Sequence, residues 1–181
     1  MSVLPLASRA EVPLLIAFAD LTRFAVTAAT VEDAELATTV DAFYERVGAR
    51  IDAAGGVVIK FIGDAALIVF DAEHVDAGVE ALLCLKEDVD RFFEQKGWPC
   101  RLVVKAHFGA AVAGPFGTAS EKRFDVLGKA VNTAALLDST GLALSAEAFR
   151  KLSPETRKRF KKHTPTVTYI RTEDPHRFRQ R

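Results

Sequence analysis

Apolar residues in this chain follow two rhythms: short runs with little interruption, and longer stretches with spacings of three and four. The first marks strands buried on both faces, the second amphipathic helices. "LLIAFADL" (14–21) is an apolar run broken only by Asp20 and predicts a central strand. Over 31–54, Leu36, Val40, Phe43, Val47 and Ile51 line one face of a helix that Gly55 and Gly56 stop. A second helix over 76–97 buries Val79, Leu82, Leu83, Leu85, Val89, Phe92 and Phe93, and ends at Gly97. Between the helices, "GGVVIKFIGDAALIVF" predicts two strands around a tight turn at Gly63 and Asp64. "CRLVVKAHFGAAVAGPFG" predicts a strand and then a hairpin or loop around Gly109, Gly114, Pro115 and Gly117. "KRFDVLGKAVNTAALLDSTG" passes from an extended piece into a helix starting near Gly128 and closing at Gly141. "LALSAEAFRKL" adds a short strand and a helix capped by Ser145, and "TVTYIRT" alternates like an edge strand.

This order predicts an α+β fold: a mixed, mainly antiparallel sheet with helices packed on it, related to the ferredoxin-like pattern. With 181 residues, 49% of them hydrophobic, a single domain over 1–181 is expected. Twenty-four basic residues balance twenty-four acidic ones, so no global field favours nucleic acid or an anionic membrane as partner. The apolar stretch at 12–19 is too short to span a bilayer and lacks the basic start of a signal peptide. Cys84 and Cys100 form no CxxC pair, which argues against a disulfide framework and a zinc site. A cytoplasmic setting is expected. His74, His107, His163 and His176 show no ligand spacing, "RKRFKK" (157–162) reads as a solvated face, and Trp98 as a cover for the sheet end or a subunit seam.

Function must come from polar residues that break apolar runs. Asp20 ends the first strand, Asp64 sits in the hairpin turn, and Lys60 lies four residues before it. If their strands are neighbours, the two carboxylates leave the same sheet edge and repel each other unless a cation lies between them. Hard oxygen ligands in a pair suit Mg²⁺ or Mn²⁺. The plain alternative is that Asp20 caps the segment after it and Asp64 only makes a turn.

Together "FAD" with Phe24 beyond it, "GGVVIKFIGDAALIVF" and "FDVLGKAVNTAALLDSTG" resemble, in this order over about 14–170, the class III adenylate and guanylate cyclase catalytic domain. The resemblance implies that Asp20 and Asp64 bind the Mg²⁺ or Mn²⁺ ions and that Lys60 and Asp125 read the purine. A lysine donor and an aspartate acceptor complement adenine, so ATP is the implied substrate, with cyclic AMP and pyrophosphate as products. Asn132 matches the family's asparagine near the ribose in the transition state. Such sites form in a head-to-tail homodimer, each built from both subunits.

The chain also departs from the family. An arginine is expected four residues after the asparagine, where this chain has Leu136, so a transition-state donor is missing. Arg23 replaces a usual glycine and Ala25 a small hydroxyl residue in the phosphate-binding turn; Arg23 either obstructs that turn or clamps the triphosphate itself. Lys161 or Lys162 is the candidate for the family's C-terminal triphosphate lysine. The enzyme reading therefore competes with a catalytically degenerate nucleotide-binding or regulatory module, and with a heterodimer whose partner subunit donates the arginine.

Overall fold

The computed structural model describes residues 7–164 and 167–174. Its framework is one eight-stranded sheet in the order β2-β3-β1-β4-β6-β8-β7, with β5 paired to β4. The strands are β1 (Ala10–Leu21), β2 (Val57–Ile62), β3 (Ala65–Asp71), β4 (Leu102–Gly117), β5 (Lys122–Leu127), β6 (Leu142–Ser145), β7 (Phe160–His163) and β8 (Thr168–Arg171). All neighbours are antiparallel except β4 and β6. The helices are α1 (Phe24–Ala28), α2 (Asp33–Ala53), α3 (Val75–Gln95), α4 (Lys129–Leu136), α5 (Ala146–Lys151) and α6 (Pro154–Arg157). The α+β class and the mainly antiparallel sheet are as the periodicities predict.

The two faces of the sheet carry separate cores. Alternate residues Leu15, Ala17 and Ala19 of β1 turn toward α2 and α3, where Phe43, Val47, Ile51, Leu82 and Phe93 pack on them. Leu14 and Ile16 face the other way and meet Ala130 and Ala134 of α4. Because strand side chains alternate, β1 is apolar at nearly every position. Phe70 shows how tightly the first core closes: a Cβ on Gly56 or Gly78 would lie 2.4 or 2.7 Å from its ring. Lys86, buried on α3, is satisfied by Asp90 Oδ2 at 2.7 Å and the Leu102 carbonyl at 2.9 Å, fixing the start of β4. Trp98 lies in the first core against Phe93, on the sheet side of the two alternatives.

Four segments differ from expectation, the first being α4, which ends at Leu136 instead of running to Gly141 because Leu137 turns to an extended conformation. The glycines and proline at 109–117 do not make a loop, since β4 runs through them to Gly117. They mark close approach instead, because a Cβ at Gly109 would meet His107 at 2.9 Å and one at Gly114 would meet the Arg9 backbone at 2.7 Å. "RKRFKK" is not wholly a solvated face: Phe160 and His163 are buried ends of β7, with Lys161 and Lys162 between them. Lysines on an edge strand block further pairing, so their charge concealed a strand. β8 consequently lies inside the sheet rather than at its edge.

β4 is tied to α5 through His107, whose Nδ1 lies 2.9 Å from Ser145 Oγ, while Ser145 caps the helix by accepting from the Ala148 N–H. Burial pushes the His107 pKa below its usual 6.5, and Glu147 opposes the shift only in part. Below about pH 6.5 the unfolded chain takes up a proton that the folded form resists, so this contribution to stability is full above 6.5 and declines as pH falls. Urea midpoints at pH 7.5 and 5.5 should therefore differ less in His107→Gln than in the wild type, the gap being at most about 1.4 kcal/mol per pH unit. Equal pH slopes would dismiss His107 as the source.

Candidate active site

The end of β1 and the β2–β3 turn place two carboxylates side by side. Asp20 stands opposite Ala65, and the Leu21 N–H donates to the Asp64 carbonyl at 3.3 Å. Gly63 makes the turn possible with a φ of +61°. Tyr44 braces it from α2, donating its hydroxyl to the Gly63 carbonyl at 2.6 Å while its ring stacks on Phe61. The strands of Asp20 and Asp64 are thus neighbours, the condition on which the paired reading of the carboxylates depended. Among the described residues neither carboxylate has a side-chain hydrogen-bond or ion-pair partner.

Asp20 is open to solvent on one side and rests against a recess on the other. Burial there, together with the charge of Asp64, raises its pKa, while Lys105 and the Leu21 N–H oppose the shift. Two like charges that Lys105 offsets only in part are what a divalent cation relieves. No group of three or more His, Cys, Asp or Glu side chains that could enclose a metal occurs among the described residues. A cation held by two carboxylates alone would keep further coordination positions for water or phosphate oxygens.

Lys60 reaches the α4 side of the sheet because β2 carries a bulge. Val58 stands opposite Ile68 and Lys60 opposite Leu67, so one residue of β2 is extra between them. Strict alternation would have turned Lys60 toward α2 and α3; the bulge returns it to the face of Leu67. There its ammonium donates to Asp125 Oδ2 at 2.6 Å, joining β2 to β5 across 65 residues of sequence. The carboxylate's other oxygen accepts from the Val126 N–H at 2.8 Å, which fixes its orientation. A fixed donor and acceptor thus sit side by side.

Asn132 is exposed on α4, and Leu136 follows one turn later on the same face, 84% exposed. Arg23 precedes α1 with φ 58° and ψ 12°, the sole non-glycine residue with positive φ among the described residues. The backbone thus keeps a left-handed conformation that glycine would adopt without strain, and the substitution has not abolished the turn. Lys161 and Lys162 lie on β7 at the far edge of the sheet, and Lys161 donates to the Thr172 carbonyl at 2.7 Å. They are not brought to the Asp20 recess.

Lys105 is the residue that sequence reasoning missed. It stands opposite Phe18 on β4 and lines the recess with Asp20, Ile62, Ala65 and Ala135. The available signal was a single cation inside "LVVKAHF", the same interruption that drew attention to Lys60.

Residues 7–172 match the model of the adenylate and guanylate cyclase catalytic domain. The adenylate cyclase of Anabaena cylindrica is 28% identical over 131 residues, 68% of this chain but 26% of its own length. The chain thus spans about a quarter of that relative. Two solved structures share the fold. A bacterial light-regulated adenylyl cyclase superposes with a TM-score of 0.81 at 21% identity, covering 92% of this chain and 53% of its own. The adenylyl cyclase CyaB from P. aeruginosa superposes with a TM-score of 0.81 at 16% identity, covering 93% of this chain and 97% of its own.

Proposed function

The chain belongs to the adenylate and guanylate cyclase catalytic domain family, and from that premise we propose that it converts ATP to 3',5'-cyclic AMP and pyrophosphate. The observation that carries the choice of nucleotide is the Lys60–Asp125 pair. A lysine donor facing a ring nitrogen and an aspartate acceptor facing the exocyclic amine match adenine. The O6 acceptor of guanine would meet the Asp125 carboxylate and be repelled. A polar reader of this kind discriminates because the wrong base would set its acceptor against the Asp125 carboxylate and leave the Lys60 donor unmatched.

In the reaction the ribose 3'-oxygen forms a bond to the α-phosphorus, the bond from that phosphorus to the pyrophosphate oxygen breaks, and the hydroxyl proton is lost. Asp20 and Asp64 are the residues that would hold Mg²⁺ or Mn²⁺. When bound there, such an ion would supply charge neutralisation and would lower the pKa of the hydroxyl. Asn132, exposed on α4, orients the ribose end of the substrate. Since Asn132 has no side-chain partner among the described residues, it is free to serve a site completed by a second copy of the chain, in a head-to-tail homodimer. Holding the reactants in line accounts for much of the acceleration such a site provides.

Arg23 acts here as a clamp on the triphosphate, which offers a use for its strained backbone. In Arg23→Gly, relief of roughly 1–3 kcal/mol of strain is partly cancelled by the extra freedom glycine gains on unfolding. The variant should melt at or slightly above the wild-type temperature yet bind ATP about tenfold more weakly. Unaltered ATP affinity would remove Arg23 from the site.

The test of the proposal is product formation by purified protein with ATP or GTP and Mg²⁺ or Mn²⁺. Cyclic AMP from ATP, with little cyclic GMP from GTP, is the expected result. Equal products from both nucleotides would refute the base-reading assignment. One observation favours a second reading: Leu136 puts an exposed apolar side chain where the family has a cation. A chain that binds ATP without turnover would then be a regulatory module, or would work with a partner subunit that supplies the arginine.

A further inference from the structure

Lys105 is half-buried between the buried Val104 and Ala106 of β4, so its ammonium stays accessible to solvent and to a ligand. Its ammonium donates to the Ala135 carbonyl at 3.3 Å, a long contact with a neutral group. Among the described residues no carboxylate lies within ion-pair distance of it. Facing Phe18, it is one pleat from Asp20, which faces Val103, and both side chains line one recess of about 240 Å³. Ala135, the acceptor, lies near the end of α4 and lines the same recess.

We propose that Lys105 is a substrate-positioning residue whose ammonium binds the triphosphate beside Asp20, replacing part of the charge that Leu136 cannot supply. The inference rests on the nucleotide reading above and extends it by one residue. A lysine stem is flexible and its ammonium carries three donors, so it can leave the Ala135 carbonyl for an anionic oxygen without movement of the strand. The exchange replaces a neutral acceptor with a charged one and strengthens the hydrogen bond. Lys105 also differs from an arginine at 136 in its origin. It arises from the strand beside β1, so it stays with the Asp20 of its own subunit whatever the partner contributes.

The plain structural role is a brace between β4 and the end of α4, and the test separates the two. Binding of α,β-methylene-ATP, which cannot be cyclised, is titrated in Mg²⁺ for the wild type, Lys105→Met and Lys105→Arg, with an unfolding midpoint for each. The expected result is about tenfold weaker binding in Lys105→Met, recovery to near wild type in Lys105→Arg, and unchanged midpoints. Wild-type affinity in Lys105→Met overturns the role of Lys105 and leaves the nucleotide reading intact. Equal weakening in both variants, or weakening that tracks a fallen midpoint, marks a brace and overturns it too. Failure of the wild type to bind the analogue overturns the nucleotide reading, and this inference with it.

Discussion

Asp64→Ala and Asp20→Ala are each expected to lower cyclic AMP formation by at least about a thousandfold, the scale of several kcal/mol of lost transition-state stabilisation. The stability of the same variants should move the other way. In the absence of metal, the Asp20 and Asp64 carboxylates share one sheet edge without a side-chain partner, and burial with the neighbouring charge already disfavours ionised Asp20. Removing either charge relieves repulsion, so the unfolding midpoint should rise, each kcal/mol of relief adding about 2–4 °C in a chain of this size. Divalent ions should raise the midpoint of the wild type and not that of the variants. A loss of activity accompanied by a loss of stability, and no metal effect on the wild type, would mean that the two aspartates cap and turn the chain and nothing more.

Leu136→Arg is expected to raise turnover on the order of a hundred- to a thousandfold, the range associated with one preorganised transition-state donor. The site permits the change: Leu136 is 84% exposed, so an arginine displaces no core contact and stability should shift by about 0.5 kcal/mol or less. The face is also suitable, since Asn132 lies one turn earlier and the two side chains extend together. The gain should appear in kcat more than in KM, because a group that acts on developing charge adds little to ground-state binding. Measured turnover in Leu136→Arg no higher than in the wild type would show that cations elsewhere, Lys105 and Arg23 foremost, already meet the need.

Most of the framework was legible because its elements declare themselves locally. The helix at 33–53 and the helix at 75–95 carry their buried residues at spacings of three and four, and the hairpin at 57–71 carries a glycine where a positive φ is required. The errors have one origin. Gly109 and Gly114 look like punctuation until one sees what occupies the space a side chain would need. Phe160 looks solvated among cations until β8 pairs with it through Arg171. For Gly114 and Phe160 the deciding neighbour, Arg9 or Arg171, lies far away in sequence.

Asp20, Lys60 and Asp64 stand out in the sequence for being polar where their surroundings are not, and that contrast is visible in one dimension. Apolar periodicity and polar interruption together determined the α+β class, the order of the main elements and the choice of Asp20, Lys60 and Asp64 for attention, while Asp125 and Asn132 came from the resemblance of their segment to the cyclase family. Tertiary structure decided which of these meet. A one-residue bulge between Val58 and Lys60 decides the face on which Lys60 emerges, and alternation alone would have pointed it away from Asp125. The neighbourhood of Asp20 and Asp64 depends on β1 pairing with β3, and that of Asp20 and Lys105 on β1 pairing with β4. Sequence records what each side chain is, but strand pairing sets the few ångströms between charges, and electrostatics depends on that separation.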